Sequence, residues 1–413
     1  MNDAPRRGKR ERTMTIDTDA PSNAAVTRYL EDLGTGEPLV QLDWEQWLGI
    51  GAPYPKVDFT VQEVTARFSR NGYDWDIHGR LYTPAKEVDP TRAFVVCHGG
   101  AGSERIMDET PDGRPGVSPS IAAQGFKVLA MTYPGHYPPG GTWQVSVEDR
   151  MPVYLLDREL PEEEILDRNL KCTFNVDCQG FATLIDRHLA GRNILAWGHS
   201  TSGPMVAMLH RFVEQAEIGG LCGFGTGGPD GWRLQWREQT GSESVKEFDI
   251  DAISRRNPTF FKSAGYEDPE DLCPWGGAEN YLAWAGKVRS QMKTSLCDNQ
   301  HLVNMAKLEE YPKRTGLPRQ EYFDHIEDPD PAWIKKIQVL LTVGENDKGH
   351  WKEGKRIEDK REPFMIRKYR ESGAKRAQLV LIPRYGHVGY AELHNEKIAY
   401  LWLWAFKNGY FSG

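Results

Sequence analysis

Five short runs of this chain are apolar almost without interruption and then stop at glycine, proline or a small polar residue. They are AFVVCHGG from Ala93, FKVLAMTYPG from Phe126, NILAWGHS from Asn193, IQVLLTVGEND from Ile337 and AQLVLIPRYGH from Ala377. A strand with one wet face alternates apolar and polar residues, so an unbroken run of this length reads as a strand covered on both faces of a parallel sheet. Parallel neighbours need long crossovers, and helix-like segments lie between the runs. Phe174, Cys178, Phe181, Ile185 and Leu189 recur at spacings of three and four, which puts them on one helical stripe. Arg361 to Ser372 fill the space before the last run, with Gly373 as the stop, and EKIAYLWLWAFKNGYF from Glu396 supplies a closing helix. EIGGLCGFGTG, from Glu217, is a weaker strand candidate.

Ahead of these runs, Val57 to Phe68 and Trp75 to Tyr82 alternate partially around Asn71-Gly72, a strong two-residue turn signal, and read as an antiparallel hairpin. The expected fold class is α/β: a doubly wound, mostly parallel sheet with an antiparallel N-terminal edge. From residue 229 to 335 strand signals vanish and short polar pieces, rich in Trp, Tyr and Phe, are broken by Gly and Pro. A loop of that length without structure is improbable in a compact domain, so the segment is expected to be an inserted helical cap. The resulting division is a leader and extension over 1–55, a core over 56–228 and 336–413, and a cap over 229–335.

Bulk properties narrow the chemistry. With 51 basic and 59 acidic side chains in 413 residues the net charge is -8, which gives no electrostatic reason to expect nucleic acid or anionic membrane as partners. No stretch approaches the roughly 18 apolar residues of a membrane span. The first 25 residues are polar, carry no apolar signal segment and read as a disordered leader. The six cysteines form no CxxC pair; reduced structural thiols are the expectation, with neither zinc nor a disulfide framework, and the cytoplasm is the default location. Trp44 and Trp47, in LDWEQWLGIGAPYP, could pack on the core or against a second copy in a homodimer, and the sequence leaves both open.

The third run ends in GHSTSG, residues 198–203. A serine hydroxyl is a poor nucleophile unless exposed, oriented and beside a base. A tight strand-to-helix turn flanked by small residues achieves the first two, which is the mechanical content of G-x-S-x-G. Gly198 and Ser200 fit; Ser202 replaces the second glycine and Gly203 follows one place later. Ser202 is the weaker nucleophile candidate because Pro204 follows it by two. As a plain alternative the stretch is a polar turn with a helix cap. After the first run, CHGGAGS leaves backbone N–H groups unobstructed; Gly100 and Ala101, with Thr201 after the serine, are the amides that could receive an oxyanion. The loop lacks the Gly-Lys-Ser/Thr of a nucleotide-binding P-loop. After the fourth run, Asp347 is the best-placed buried acid, with Glu345 second and Asp230, in GTGGPDG, third. After the fifth, His387 follows a glycine.

Ser200, Asp347 and His387 each follow a buried run, in that order. With the HGG loop, the near-standard nucleophile turn and an insertion between core halves, the chain resembles the α/β-hydrolase-fold serine hydrolases over roughly 57–228 and 336–413. The resemblance implies that Ser200 attacks an acyl carbonyl, that His387 is general base and then acid, and that Asp347 orients the imidazole. It also implies that no metal or organic cofactor is required. YPGHYPPG resembles a turn common in the family, and His136 is taken as structural. His199 and His350 are given no chemical role. The expected function is cleavage of a carboxylic ester or lactone in a small to medium organic molecule through an acyl-enzyme. A C–C bond or amide/peptide hydrolase with the same triad is one alternative, and a non-catalytic binding protein on the same fold is the other.

Overall fold

A computed structural model describes residues 24–99, 103–134, 167, 171–200, 202–226, 284, 311–323, 330–347 and 364–412. The leader, most of the 229–335 segment, and the sites of Gly100, Ala101, His136, Thr201, Asp230 and His350 lie outside the described residues. The strands in chain order are β1 (Leu39–Gln41), β2 (Phe59–Arg70), β3 (Tyr73–Pro84), β4 (Arg92–Cys97), β5 (Lys127–Thr132), β6 (Asn193–His199), β7 (Glu217–Phe224), β8 (Gln338–Gly344) and β9 (Arg376–Ile382). They form one sheet in the order β1-β9-β8-β7-β6-β4-β5-β3-β2. Pairing is antiparallel between β2 and β3 and between β3 and β5. It is parallel from β5 through β4, β6, β7, β8 and β9 to β1.

The continuous apolar runs become strands buried on both faces, and their side chains alternate between two cores. Phe94, Val96, Leu195, Trp197, Leu340 and Val380 share one core with the helices Ala24–Gly34, Val117–Ala122 and Glu396–Lys407. Val95, Cys97, Ile194, Ala196, Val339 and Leu379 share the other with the helices Phe174–Leu189, Ser202–Met208 and Phe364–Glu371. Helices on both faces make the sheet doubly wound, and each fully buried large side chain contributes about 1.5–3 kcal/mol. The hairpin turns where Asn71 and Gly72 take positive φ of 56° and 80°, the backbone that a two-residue primed turn requires.

Two elements differ from the sequence reading in strength. The weak candidate at Glu217 is a full strand between β6 and β8. Its glycines dilute the apolar signal because backbones and rings come too close for side chains: a methyl at Gly220 would sit 2.8 Å from Leu195 and from Phe411. β1, three residues long, gave no periodic signal and adds a ninth strand beside β9. Trp47 is fully buried, its ring 5.2 Å from that of Tyr385, and Trp44 packs partly buried against the same core.

Glu321, near the carboxyl end of the 229–335 segment, is tied down. Glu321, in the helix Arg319–Phe323, accepts Arg70 Nε at 2.8 Å and Nη2 at 2.6 Å, Asn71 Nδ2 at 2.8 Å and Thr173 Oγ1 at 2.7 Å. Burial raises the pKa of this carboxyl, but the bonds from Arg70, Thr173 and Asn71 outweigh it and hold the group below the usual carboxylate range. The hairpin tip, the start of the helix Phe174–Leu189 and the helix Arg319–Phe323 therefore share one charged knot.

Candidate active site

β6 ends at His199, and the next residue turns sharply. Ser200 has φ +50°, a left-handed conformation that a side-chain-bearing residue adopts only when its surroundings enforce it. The enforcement is visible. Ser200 N donates to Phe224 O at 3.3 Å, and Ser200 O accepts Gly203 N at 3.3 Å and Thr226 Oγ1 at 2.7 Å. Ser202 is wholly buried; its hydroxyl accepts His199 N at 2.7 Å and faces the carbonyls of Cys97 at 2.8 Å and His199 at 2.9 Å. Its hydroxyl closes the turn from within, in the place where the common motif has glycine. The tight-packing duty falls on the flanking glycines. A methyl at Gly198 would lie 2.9 Å from the Ser202 carbonyl group, and one at Gly203 would overlap the Thr226 hydroxyl.

Two and three strands away from β6, the ends of β8 and β9 are laced together. Glu345 N donates to Ile382 O at 2.8 Å, Asn346 N to Tyr385 O at 2.8 Å and Asn346 Nδ2 to Arg384 O at 2.9 Å. Gly344 lets the 385–386 backbone cross directly over it, since any Cβ there would strike the Tyr385 carbonyl. That crossing carries His387 onto Asp347: Nδ1 and Oδ2 are 2.8 Å apart, with the Asp347 side chain 1% exposed and the His387 side chain 13%. A carboxylate only accepts, so Nδ1 carries the proton and Nε2 is left as the basic nitrogen. Glu345 has another employment, accepting the backbone N–H of Arg384 at 3.2 Å.

The two halves meet over the end of β7. A methyl at Gly225 would lie 3.0 Å from His387 Nδ1 and 3.1 Å from Asp347 Oδ2, while the next residue, Thr226, holds the Ser200 carbonyl. The loop after β4 joins them: a methyl at Gly99 would lie 3.0 Å from Ser200 Cβ. The geometry thus gathers the 98–99 loop, Ser200 and the Asp347–His387 pair at one rim of the sheet. Sequence reasoning gave His199 no chemical role, yet its Nε2 lies 2.9 Å from the His387 carbonyl oxygen; sharing the phase of Trp197 along β6 was the available signal.

It overlooked Glu104, directly after the HGG loop. This side chain is 1% exposed; its N–H donates to Thr132 Oγ1 at 2.8 Å, and that hydroxyl donates to Glu104 Oε2. Burial raises the pKa of the carboxyl from 4.5 to about 7, against the opposing pull of Arg105 and Arg80. The folded chain therefore holds this proton where the unfolded chain has released it. Its contribution to stability is full below pH 4.5 and is lost as pH rises through about 7, about 3 kcal/mol across the window. Glu104→Gln is expected to flatten that slope, so that urea unfolding at pH 5 and pH 8 shows the variant gaining on the wild type at the higher pH.

Comparison with known proteins gives the family. Residues 94–399 match the model of the alpha/beta hydrolase family. The chain belongs to that family. It is an enzyme of the hydrolase class, and its mostly parallel nine-stranded sheet is the family's fold. Among solved structures, it is similar to a lipase in an open form at 16% identity, with 86% of this chain and 100% of that one covered and a TM-score of 0.46. It is also similar to a thermophilic esterase from Thermogutta terrifontis at 14% identity, with 84% and 99% covered and a TM-score of 0.41. A probable hydrolytic enzyme from Pseudomonas aeruginosa PAO1 aligns at 16% identity over 81% and 93% of the two chains, with a TM-score of 0.41. None of the curated proteins compared with the chain matches it. Among the described residues, no helix is long and apolar enough to cross a membrane.

Proposed function

We propose that this member of the family is a serine hydrolase that cleaves a carboxylic ester or lactone of a small to medium organic molecule through an acyl-enzyme. The observation that carries the reading is the buried Asp347–His387 hydrogen bond beside the strained turn of Ser200. Ser200 Oγ attacks the acyl carbonyl while His387 Nε2 takes its proton. The imidazolium is stabilised by Asp347, which keeps its charge throughout. His387 then returns the proton to the leaving oxygen, and a water activated by the same nitrogen releases the acid and frees Ser200. The amides of Gly100 or Ala101 and of Thr201 are assigned to the oxyanion, each donor contributing about 2.7–4 kcal/mol of transition-state stabilisation. The position of Gly99 against Ser200 supports that assignment.

The reading is tested by a fluorophosphonate probe. Incubation with the native chain is expected to give a stoichiometric adduct, mapped by peptide mass spectrometry to Ser200 and absent from Ser200→Ala. A folded wild-type chain that stays unlabelled, or is labelled elsewhere, overturns the nucleophile. Esters and lactones are expected to outpace amides and vinylogous diketones in a substrate panel.

A further inference from the structure

Nucleophile and base in this site come from strands that do not touch. Ser200 follows β6 and His387 follows β9, and β7 and β8 lie between them in the sheet. Chemistry across such a gap needs the two groups held to within about 0.5 Å of a productive arrangement, and a displacement of 1 Å can cost about 100-fold in rate. The Asp347 bond fixes the His387 ring at Nδ1. It does not fix the backbone from which the ring hangs relative to Ser200.

His199 spans that gap. Covalently adjacent to Ser200, it places Nε2 at 2.9 Å from the backbone oxygen of His387, with the two rings 4.9 Å apart. Its own ring is 5% exposed, packed edge-on against Tyr390 at 4.7 Å and stacked near Trp197 and Phe224 at 6.4 Å each. Its Nδ1 edge faces the loop after β4, where a methyl at Gly99 would come within 2.7 Å. A carbonyl oxygen only accepts, so the bond to His387 requires the Nε2–H form of His199. A buried ring among aromatic neighbours, in one tautomer, and reaching all three segments of the site is a rigid strut.

We propose that His199 is a positioning residue for the proposed serine chemistry, holding the His387 backbone in register with Ser200 through its Nε2–H bond across β7 and β8. The inference rests on the serine-hydrolase reading. What matters in it is the donor, since an aromatic ring of the same bulk cannot supply it.

Two substitutions separate donor from bulk. His199→Phe keeps a planar ring in the slot and removes the N–H; His199→Gln loses the ring and keeps an N–H that reaches the same carbonyl. With p-nitrophenyl acetate, on protein whose Tm is within a few degrees of the wild type, Phe is expected to lower kcat by about 10- to 100-fold with KM nearly unchanged. Gln is expected to recover most of that loss. Phe as active as the wild type, or Gln no better than Phe, overturns the proposal. Should either variant fail to fold, nitrogen NMR of the wild-type imidazoles decides it: His199 protonated at Nε2 with slow exchange supports the strut, and protonation at Nδ1 alone rejects it. The tautomer is read without turnover, and both variants are scored against a wild type that labels at Ser200. Failure of the strut and failure of the nucleophile assignment therefore give different results.

Discussion

Asp347→Asn is expected to lower kcat on p-nitrophenyl acetate by about 10,000-fold while leaving the fold in place. The carboxylate is 1% exposed and accepts from His387 Nδ1 at 2.8 Å, which dictates a proton on Nδ1 and leaves Nε2 bare. An asparagine of the same shape can turn its NH2 toward the imidazole instead. The proton then moves to Nε2, the nitrogen that the proposed mechanism needs free to accept from Ser200, and the imidazolium of that mechanism loses its counter-charge. Stability should change little or rise, because a neutral amide is cheaper to bury than a carboxylate. Thermal unfolding by circular dichroism and steady-state kinetics on the same preparation check both halves. Retention of activity to within tenfold would remove Asp347 from the mechanism and reopen Glu345, which otherwise caps the Arg384 amide; Glu345→Gln is expected to stay near the wild type.

The second large effect is structural. Gly203→Ala places a methyl on the Thr226 hydroxyl, the group that holds the Ser200 carbonyl at 2.7 Å, and brings it within 2.7 Å of the Thr226 Cβ. Neither side can yield cheaply, because residues 202–208 form a helix buried along its whole length and Thr226 is itself 1% exposed. A destabilisation of about 3 kcal/mol is expected, read as a lower urea midpoint, together with loss of activity as the strained Ser200 backbone relaxes. The double variant Gly203→Ala, Thr226→Gly removes the obstructing side chain and should recover most of the stability but little of the activity, since the carbonyl restraint is gone. A Gly203→Ala chain as stable as the wild type would mean that the turn is looser than its contacts imply.

These two sites show how far the sequence could be read. The five apolar runs and the Asn71-Gly72 turn specify the sheet because burial on both faces and positive φ leave local signatures in residue type. The positions of Ser200, Asp347 and His387 after such runs were legible for the same reason: strand ends are where a parallel sheet presents side chains to a common rim. β1 was invisible because three residues carry no period, and its place depends on β9, more than 330 residues later in the chain. β7 was blurred by glycines that only tertiary crowding requires. The use of Ser202 as an internal tie, the strut at His199 and the buried proton at Glu104 depend on which atoms meet across the fold, and a string of residue types does not contain that information.

The pairing of β1 with β9 has a bearing on how the chain is made. Tyr29 donates its hydroxyl to Leu401 O at 3.0 Å, Leu379 N reaches Pro38 O at 2.8 Å, and Trp404 Nε1 reaches Gly51 O at 2.8 Å. Each of those partners is translated more than 340 residues after the group it meets. Residues 24–50 must wait for those later residues, and until then Val26, Tyr29, Leu30, Leu33 and Trp47 lack part of the core that will cover them. Such delay exposes a nascent segment to aggregation, a risk that lasts here until the helix Glu396–Lys407 has been made.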